Sequence, residues 1–230
     1  MIELSHVTAT YKNGFMGLND ATFKINYGEF VYIIGETGSG KSTIIKLLHG
    51  EMLPQKGKIK VGDFIVNEIK SNKLPYFKRT VGVIFQDFKL LPYKKVVENL
   101  SFVSECFGIE ENESKMRIKN VLDLVGMWNK RESFPNELSG GQQQSVVIAR
   151  AMMNNPKIIL ADEPTGNLDP VSSDNILKLL HNINTKEGTT IIMVTHNMEL
   201  IKKAPGRVLI INKGKIIKDI PKDEILKVMG

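Results

Sequence analysis

Apolar and polar positions change period twice along the chain. Through the first third they come in short, strand-like runs. Ile2, Leu4 and Val7 predict an edge-like strand, and residues 21–26 and 30–34 predict two more, flanking the turn Asn26-Tyr27-Gly28-Glu29. The run FVYIIG stops at a glycine and passes into the helical stretch Lys41–His49. Lys58–Asn67 reads as a hairpin about Gly62-Asp63, and Val81–Phe85 as a short strand. From Lys89 to Asn154 the period becomes helical. Val96, Leu100, Val103 and Phe107 fall at i, i+4, i+7 and i+11, one face of a helix. A second helix covers Ser114–Val125, and a third runs from near Gly141 until Pro156 stops it.

Strands and helices then alternate: strand Lys157–Ala161, helix Ser172–Lys186, strand Thr189–Val194 and short helix Met198–Lys203. A hairpin follows over Val208–Lys218, turning at Lys213-Gly214, with a last helix over 222–229. Such alternation predicts an α/β fold with a mostly parallel sheet and helices on its faces. The helical block reads as an insertion. Residues 1–88 and 155–230 then make a core, with 89–154 as an inserted α-helical subdomain.

Composition narrows the class only modestly. Apolar residues make up 42% and charged residues 24% of the 230, ordinary for a soluble globular protein. Apolar runs such as Ile158–Ala161 suit buried strands and fall far short of a membrane helix. The amino terminus alternates like a strand and carries no secretory pattern. Cys106 is the single cysteine, which fits a reducing, cytosolic compartment. The net charge of +6 comes from scattered lysines, loosely grouped only at Lys89, Lys94 and Lys95. That pattern describes a solvated surface, and no nucleic acid is expected as a partner.

The chemistry is carried by short motifs. Gly35-Glu36-Thr37-Gly38-Ser39-Gly40-Lys41-Ser42 matches GxxxxGK[ST] without a gap, after an apolar strand and before a helix. Its backbone N–H groups turn onto phosphate oxygens, Lys41 reaches the outer phosphates, and the Ser42 hydroxyl ligates Mg²⁺. Glu36, Thr37, Ser39 and Thr43 complete the expected ATP contacts. Ile158–Ala161 ends in Asp162-Glu163, two carboxylates at the carboxyl end of a buried strand. Asp162 is placed for Mg²⁺, and Glu163 for activating the water that attacks the γ-phosphate. His196 ends the next strand and is expected at the γ-phosphate. Gln86 ends Val81–Phe85, with its amide near the metal or the water. Tyr11 is expected to stack on adenine. In LSGGQQQSVVIAR (138–150), Ser139-Gly140-Gly141 open a helix whose N–H groups suit an anion, although a complete phosphate loop already exists upstream.

In this order, Tyr11, the loop 35–42, Gln86, LSGGQ at 138–142, the acids at 162 and 163, Asn167-Leu168-Asp169 and His196 resemble the ATP-binding subunits of ABC transporters. LSGGQ between a phosphate loop and such an acidic strand is highly specific to that family. Within it, VGVIFQDFKLLPYKKVVENL and ADEPTGNLD are most similar to the members that serve cell division. ADEPTGNLD is shared with members for lipoprotein release and macrolide export, an alternative assignment. The family usually places arginine where Ser145 stands.

The resemblance implies a P-loop NTPase core, an antiparallel β subdomain and a helical subdomain. It also implies Mg²⁺-dependent ATP hydrolysis by Lys41, Gln86, Glu163 and His196. The ATP-bound state would be a head-to-tail homodimer, with Ser139, Gly140, Gly141, Gln142 and Asp169 contacting the nucleotide of the partner subunit. An integral membrane partner would dock at the Gln86–Asn99 region and on the apolar face starting at Val96, holding the chain on the cytoplasmic face of the membrane. A soluble ATPase acting on DNA or ribosomes, or a simple P-loop kinase, explains fewer of these motifs.

Overall fold

The structure, a computed structural model, describes residues 1–225. Two sheets share the chain. Strands β1 (Ile2–Thr10), β2 (Met16–Ile25), β4 (Lys56–Val61) and β5 (Phe64–Ile65) form an antiparallel sheet in the order β2-β1-β4-β5. The larger sheet adds β3 (Phe30–Ile34), β6 (Val81–Ile84), β7 (Ile158–Asp162), β8 (Thr190–Val194), β9 (Arg207–Asn212) and β10 (Lys215–Ile220). Its order is β10-β9-β3-β8-β7-β6. All its neighbours run parallel except β10, which returns antiparallel along β9.

One strand expectation changes. β1 is not an edge: it pairs with β2 on one side and β4 on the other. Alternation reports that one face is buried and says nothing about how many neighbours the strand has. The strands flanking Asn26–Glu29, β2 and β3, belong to different sheets.

Every residue of β3 is buried, as a central parallel strand requires. Its side chains divide two cores. Val31 and Ile33 join the small sheet and helix α1 (Lys41–Leu48). Phe30, Tyr32 and Ile34 join a second core, which includes Val147 of α5 (Gly140–Met152) and Leu180 of α6 (Pro170–Glu187). Helices α3 (Val96–Phe107) and α4 (Glu111–Leu124) pack with α5 as a lateral block. A six-residue helix, α2 (Leu74–Arg79), precedes β6, and α7 (Met198–Lys203) follows β8. The predicted last helix starts as a single turn at Lys222–Glu224, and its residues 226–229 lie outside the described residues.

The apolar face of α3 is mostly spent inside the block. Val96 and Leu100 are fully buried, so that end offers nothing to a partner. Val103 and Phe107, at the other end, stay half-open and border a groove. No helix among the described residues is long and apolar enough to cross a membrane.

Candidate functional site

Four neighbouring parallel strands deliver the expected groups to one edge of the sheet. The phosphate loop leaves β3, His196 follows β8, Asp162-Glu163 close β7 and Gln86 follows β6. Groups at the carboxyl ends of such strands face the crevice where α/β sheets take ligands.

The loop from Gly35 to Gly40 closes tightly before α1. Gly40 has φ of +112°, and a Cβ there would collide with the Gly17 carbonyl, so two independent constraints demand glycine. The β9–β10 turn braces the loop from outside: Gly214 N–H donates to the Ser39 carbonyl at 2.9 Å, and its own carbonyl accepts from Asn19 N–H at 2.9 Å. Lys41 is buried, and its Nζ donates to the Gly35 and Glu36 carbonyls at 2.8 and 2.9 Å. The loop is thus already folded around its cation.

A cavity of about 400 Å³ opens over the loop, lined by Tyr11, Thr37, Gly38, Lys41, Ser42 and Glu163, among others. The Tyr11 hydroxyl lies 3.1 Å from Thr43 Oγ1, and Lys46 Nζ sits 5.4 Å from the Tyr11 ring centroid. Phe15 also lines the cavity, about half exposed, with its ring 6.1 Å from that of Tyr11. Phe15 and Lys46 escaped the motif reading. The motif spacing tracks the phosphate loop, whereas these two reach the mouth through a β1–β2 turn and the next turn of α1.

At the other end of the cavity Ser42 Oγ donates to Asp162 Oδ1 at 3.3 Å. Burial pushes the Asp162 carboxyl above its usual range and Glu163 adds to this, while Ser42, Lys41 and Lys46 pull it back. A carboxylate short of solvation beside a hydroxyl is an oxygen-only donor pair of the kind Mg²⁺ takes together with phosphates. The residues therefore fit a metal delivered with its nucleotide. Glu163 holds the left-handed conformation (φ +46°), where its N–H donates to the Val194 carbonyl at 3.0 Å. Its Oε2 lies 2.8 Å from His196 Nδ1. The ring orients a carboxylate that faces the cavity, an arrangement suited to positioning a water.

Gln86 stands slightly apart. Its carbonyl accepts from Asn167 Nδ2 at 3.3 Å, and its amide packs against Gly166 rather than lining the phosphate cavity. The next residues are held from behind. Phe88 and Lys89 both have positive φ (55° and 50°), and the Arg150 guanidinium donates to both of their carbonyls.

Ser139–Gln142 and Asp169 do not line the phosphate-loop cavity. Ser139 caps α5: its Oγ accepts from Gln142 N–H at 3.3 Å, while Gln142 Oε1 folds back onto Ser139 N–H at 3.0 Å. Among the described residues no acceptor takes the Ser139 O–H proton. Asp169 caps α6 through Oδ1, accepting from Val171 and Ser172 N–H at 3.0 and 2.9 Å, and the Ser172 side chain first, then these backbone bonds, hold its carboxyl below the usual range. The two helix starts sit side by side, because a Cβ on Gly141 would fall 2.8 Å from Ser172 Oγ. Ser145 Oγ turns inward to the Gly141 carbonyl at 3.0 Å.

The ABC transporter family profile matches residues 18–166. The chain is 46% identical over 224 residues to the cell division ATP-binding protein FtsE of Streptococcus pneumoniae, covering 97% of each chain. It is 45% identical over 224 residues to FtsE of Bacillus subtilis, covering 97% of this chain and 98% of that one. Among solved structures, a dimeric post-hydrolysis state of the ATP-binding cassette MJ0796 bound to ADP and Pi superposes with a TM-score of 0.85 at 33% identity. That match covers 96% of this chain and 98% of the other. Matched in family, in length and in fold, with its phosphate loop, acidic strand end and histidine gathered on one sheet edge, the chain belongs to the ABC transporter family as an ATP-binding cassette, and it is an ATPase.

Proposed function

We propose that this chain is the ATP-hydrolysing subunit of a cell-division complex. It would sit on the cytoplasmic face of the membrane and work with an integral membrane partner of the FtsX type. ATP cycles would then activate peptidoglycan hydrolases outside the cell rather than move a solute. The observation that carries this is the likeness to cell division ATP-binding proteins at 45–46% identity along nearly the whole of both chains. A methionine import ATP-binding protein from Oceanobacillus iheyensis is more distant at 38%, with 63% of its length matched.

In this reading residues 1–88 and 155–230 bind nucleotide, and residues 89–154 carry the helical subdomain. The loop 35–42 and Thr43 hold the phosphates, and Tyr11 takes the adenine. Ser42, Asp162 and Gln86 attend Mg²⁺. The ion supplies charge neutralisation at the phosphates when bound. Glu163, oriented by His196, draws the proton from water as it attacks the γ-phosphate, and Lys41 steadies the charge that develops there. Ser139, Gly140, Gly141, Gln142 and Asp169 complete the site of a second copy. The free Ser139 proton and the unused N–H groups of the first turn of α5 support that role. The partner would dock along Gln86–Asn99, where the buried Asn99 side chain ties down Leu91 and Lys94 and leaves Tyr93 92% exposed.

The test is Glu163→Gln with ATP and Mg²⁺. Turnover should fall by about 10²–10⁴-fold while a dimer accumulates in light scattering. A monomer at saturating ATP, or unchanged turnover, would count against the assignment. Capture of a solute permease in preference to the FtsX-type protein would remove the cell-division part alone.

A further inference from the structure

A hollow in the helical block plays no part in the nucleotide site. It holds about 530 Å³ between α3 and α4 and shares no lining residue with the phosphate-loop cavity. A hollow of that size accommodates a small molecule.

Ser104 is its unusual member. It lines the hollow and is 2% exposed, and its Oγ has no hydrogen-bond partner among the described residues. A serine inside a helix can turn its hydroxyl back to the carbonyl four residues earlier. Ser101, one turn away, does so and donates to the Val97 carbonyl at 3.0 Å. Ser104 makes no such bond, and a buried hydroxyl left unpaired is destabilising. A ligand that reaches it removes that cost. Ser114, from the first turn of α4, is a second buried hydroxyl residue in the lining.

The charges around the hollow select the sign of such a ligand. Glu105, Glu111 and Lys115 line it. Lys115 Nζ lies 2.6 Å from Glu111 Oε1, so those two cancel. Lys119 and Arg131 approach the ring of Trp128, another lining residue, but Lys119 pairs with Asp123 at 2.6 Å and Arg131 lies 3.8 Å from Glu132. Glu105 is the lining carboxylate with no ion pair among the described residues. It stands in the last turn of α3, which carries no basic residue, and the negative end of the helix adds to its charge.

We propose that this hollow binds a small organic ammonium ion, its head shared by the Glu105 carboxylate and the Ser104 oxygen and its carbon stem along Ile109, Ile118 and Trp128. The hydroxyl oxygen accepts from the ammonium, the carboxylate supplies the opposite charge, and the apolar wall takes the stem out of water. Both α3 and α4 pack on α5, whose first turn holds Ser139–Gln142, so the ligand bears on the frame of that turn.

Trp128 is the single tryptophan of the chain, so its fluorescence reports occupancy in the full wild-type protein. The probes are n-hexylamine, 1-hexanol and n-hexanoate at neutral pH, which share a stem length and differ in charge. The amine should saturate at about tenfold lower concentration than the alcohol, from the ion pair and the helix end together, and the hexanoate should bind weakest. Added salt should narrow the gap between amine and alcohol. Glu105→Gln should bring the two within about twofold of each other. Ser104→Ala should weaken the amine by about tenfold. Glu105 is exposed, so its variant decides the matter even if Ser104→Ala folds poorly. No saturable response to the amine, equal binding of amine and alcohol by the wild type, tighter binding of hexanoate, or a gap that survives Glu105→Gln would overturn the proposal.

Discussion

Arg150→Met removes the support behind the Gln86 loop while keeping an unbranched apolar stem. Two hydrogen bonds from a cation disappear, those to the Phe88 and Lys89 carbonyls. Such bonds contribute about 1.5–3 kcal/mol each, a gross loss of about 3–6 kcal/mol. Strain relief opposes this. Phe88 and Lys89 sit at φ of 55° and 50°, and each regains about 1–2 kcal/mol on leaving the left-handed region. The guanidinium is also poorly solvated where it lies, since burial holds its pKa below the usual value. The net destabilisation should therefore be about 1–2 kcal/mol, a fall in Tm of about 2–8 °C for a chain of this size. Urea unfolding gives the free energy, and amide hydrogen exchange over residues 86–91 should accelerate far more than elsewhere. A loss above about 4 kcal/mol would mean the loop keeps its strained shape without Arg150. Unchanged exchange at 86–91 would refute the idea that Arg150 restrains the loop at all.

Gln144 is fully buried with neither side-chain amide atom partnered among the described residues, so Gln144→Met should raise stability by about 1 kcal/mol, and a lower urea midpoint would contradict this. His181 stacks on Phe30 at 4.0 Å between ring centroids, and burial, helped by Lys222, lowers its pKa. Burial and Lys78 lower that of His49 in the same sense. The unfolded chain therefore takes up these protons first, so stability is full above about pH 6.5 and declines as pH falls below it. His181→Phe should flatten that decline between pH 7.5 and 5.5 without abolishing it. An unaltered pH dependence of the unfolding midpoint would exclude His181 as a contributor.

What the sequence made legible was whatever a local pattern determines. The phosphate loop, the acids after β7 and His196 after β8 were placed by strand ends, because a parallel strand's carboxyl end has one destination in such a sheet. Interior against edge was not legible for β1, since alternation counts faces and not neighbours. Helix α2 was missed because Pro75, acceptable in a first turn, also reads as a break. The apolar stripe of α3 is legible, but periodicity cannot tell that Val96 and Leu100 are buried in the second core while Phe107 stays half-open. Gln142 folding back on Ser139 belongs to a capping box, which the SxxQ spacing carries.

Lys41 Nζ donates to two carbonyls of its own loop. On the function proposed above, arrival of a nucleotide would be a ligand exchange in which an ammonium trades two neutral oxygens for charged ones. Little ordering accompanies it, because the loop is already wound and braced by Gly214. Both di- and triphosphates would then find the same prepared seat, and this half of the site would be a poor judge between them. On the function proposed above, discrimination would pass to whatever meets the third phosphate from the far side, and that judgement would be made when two copies come together.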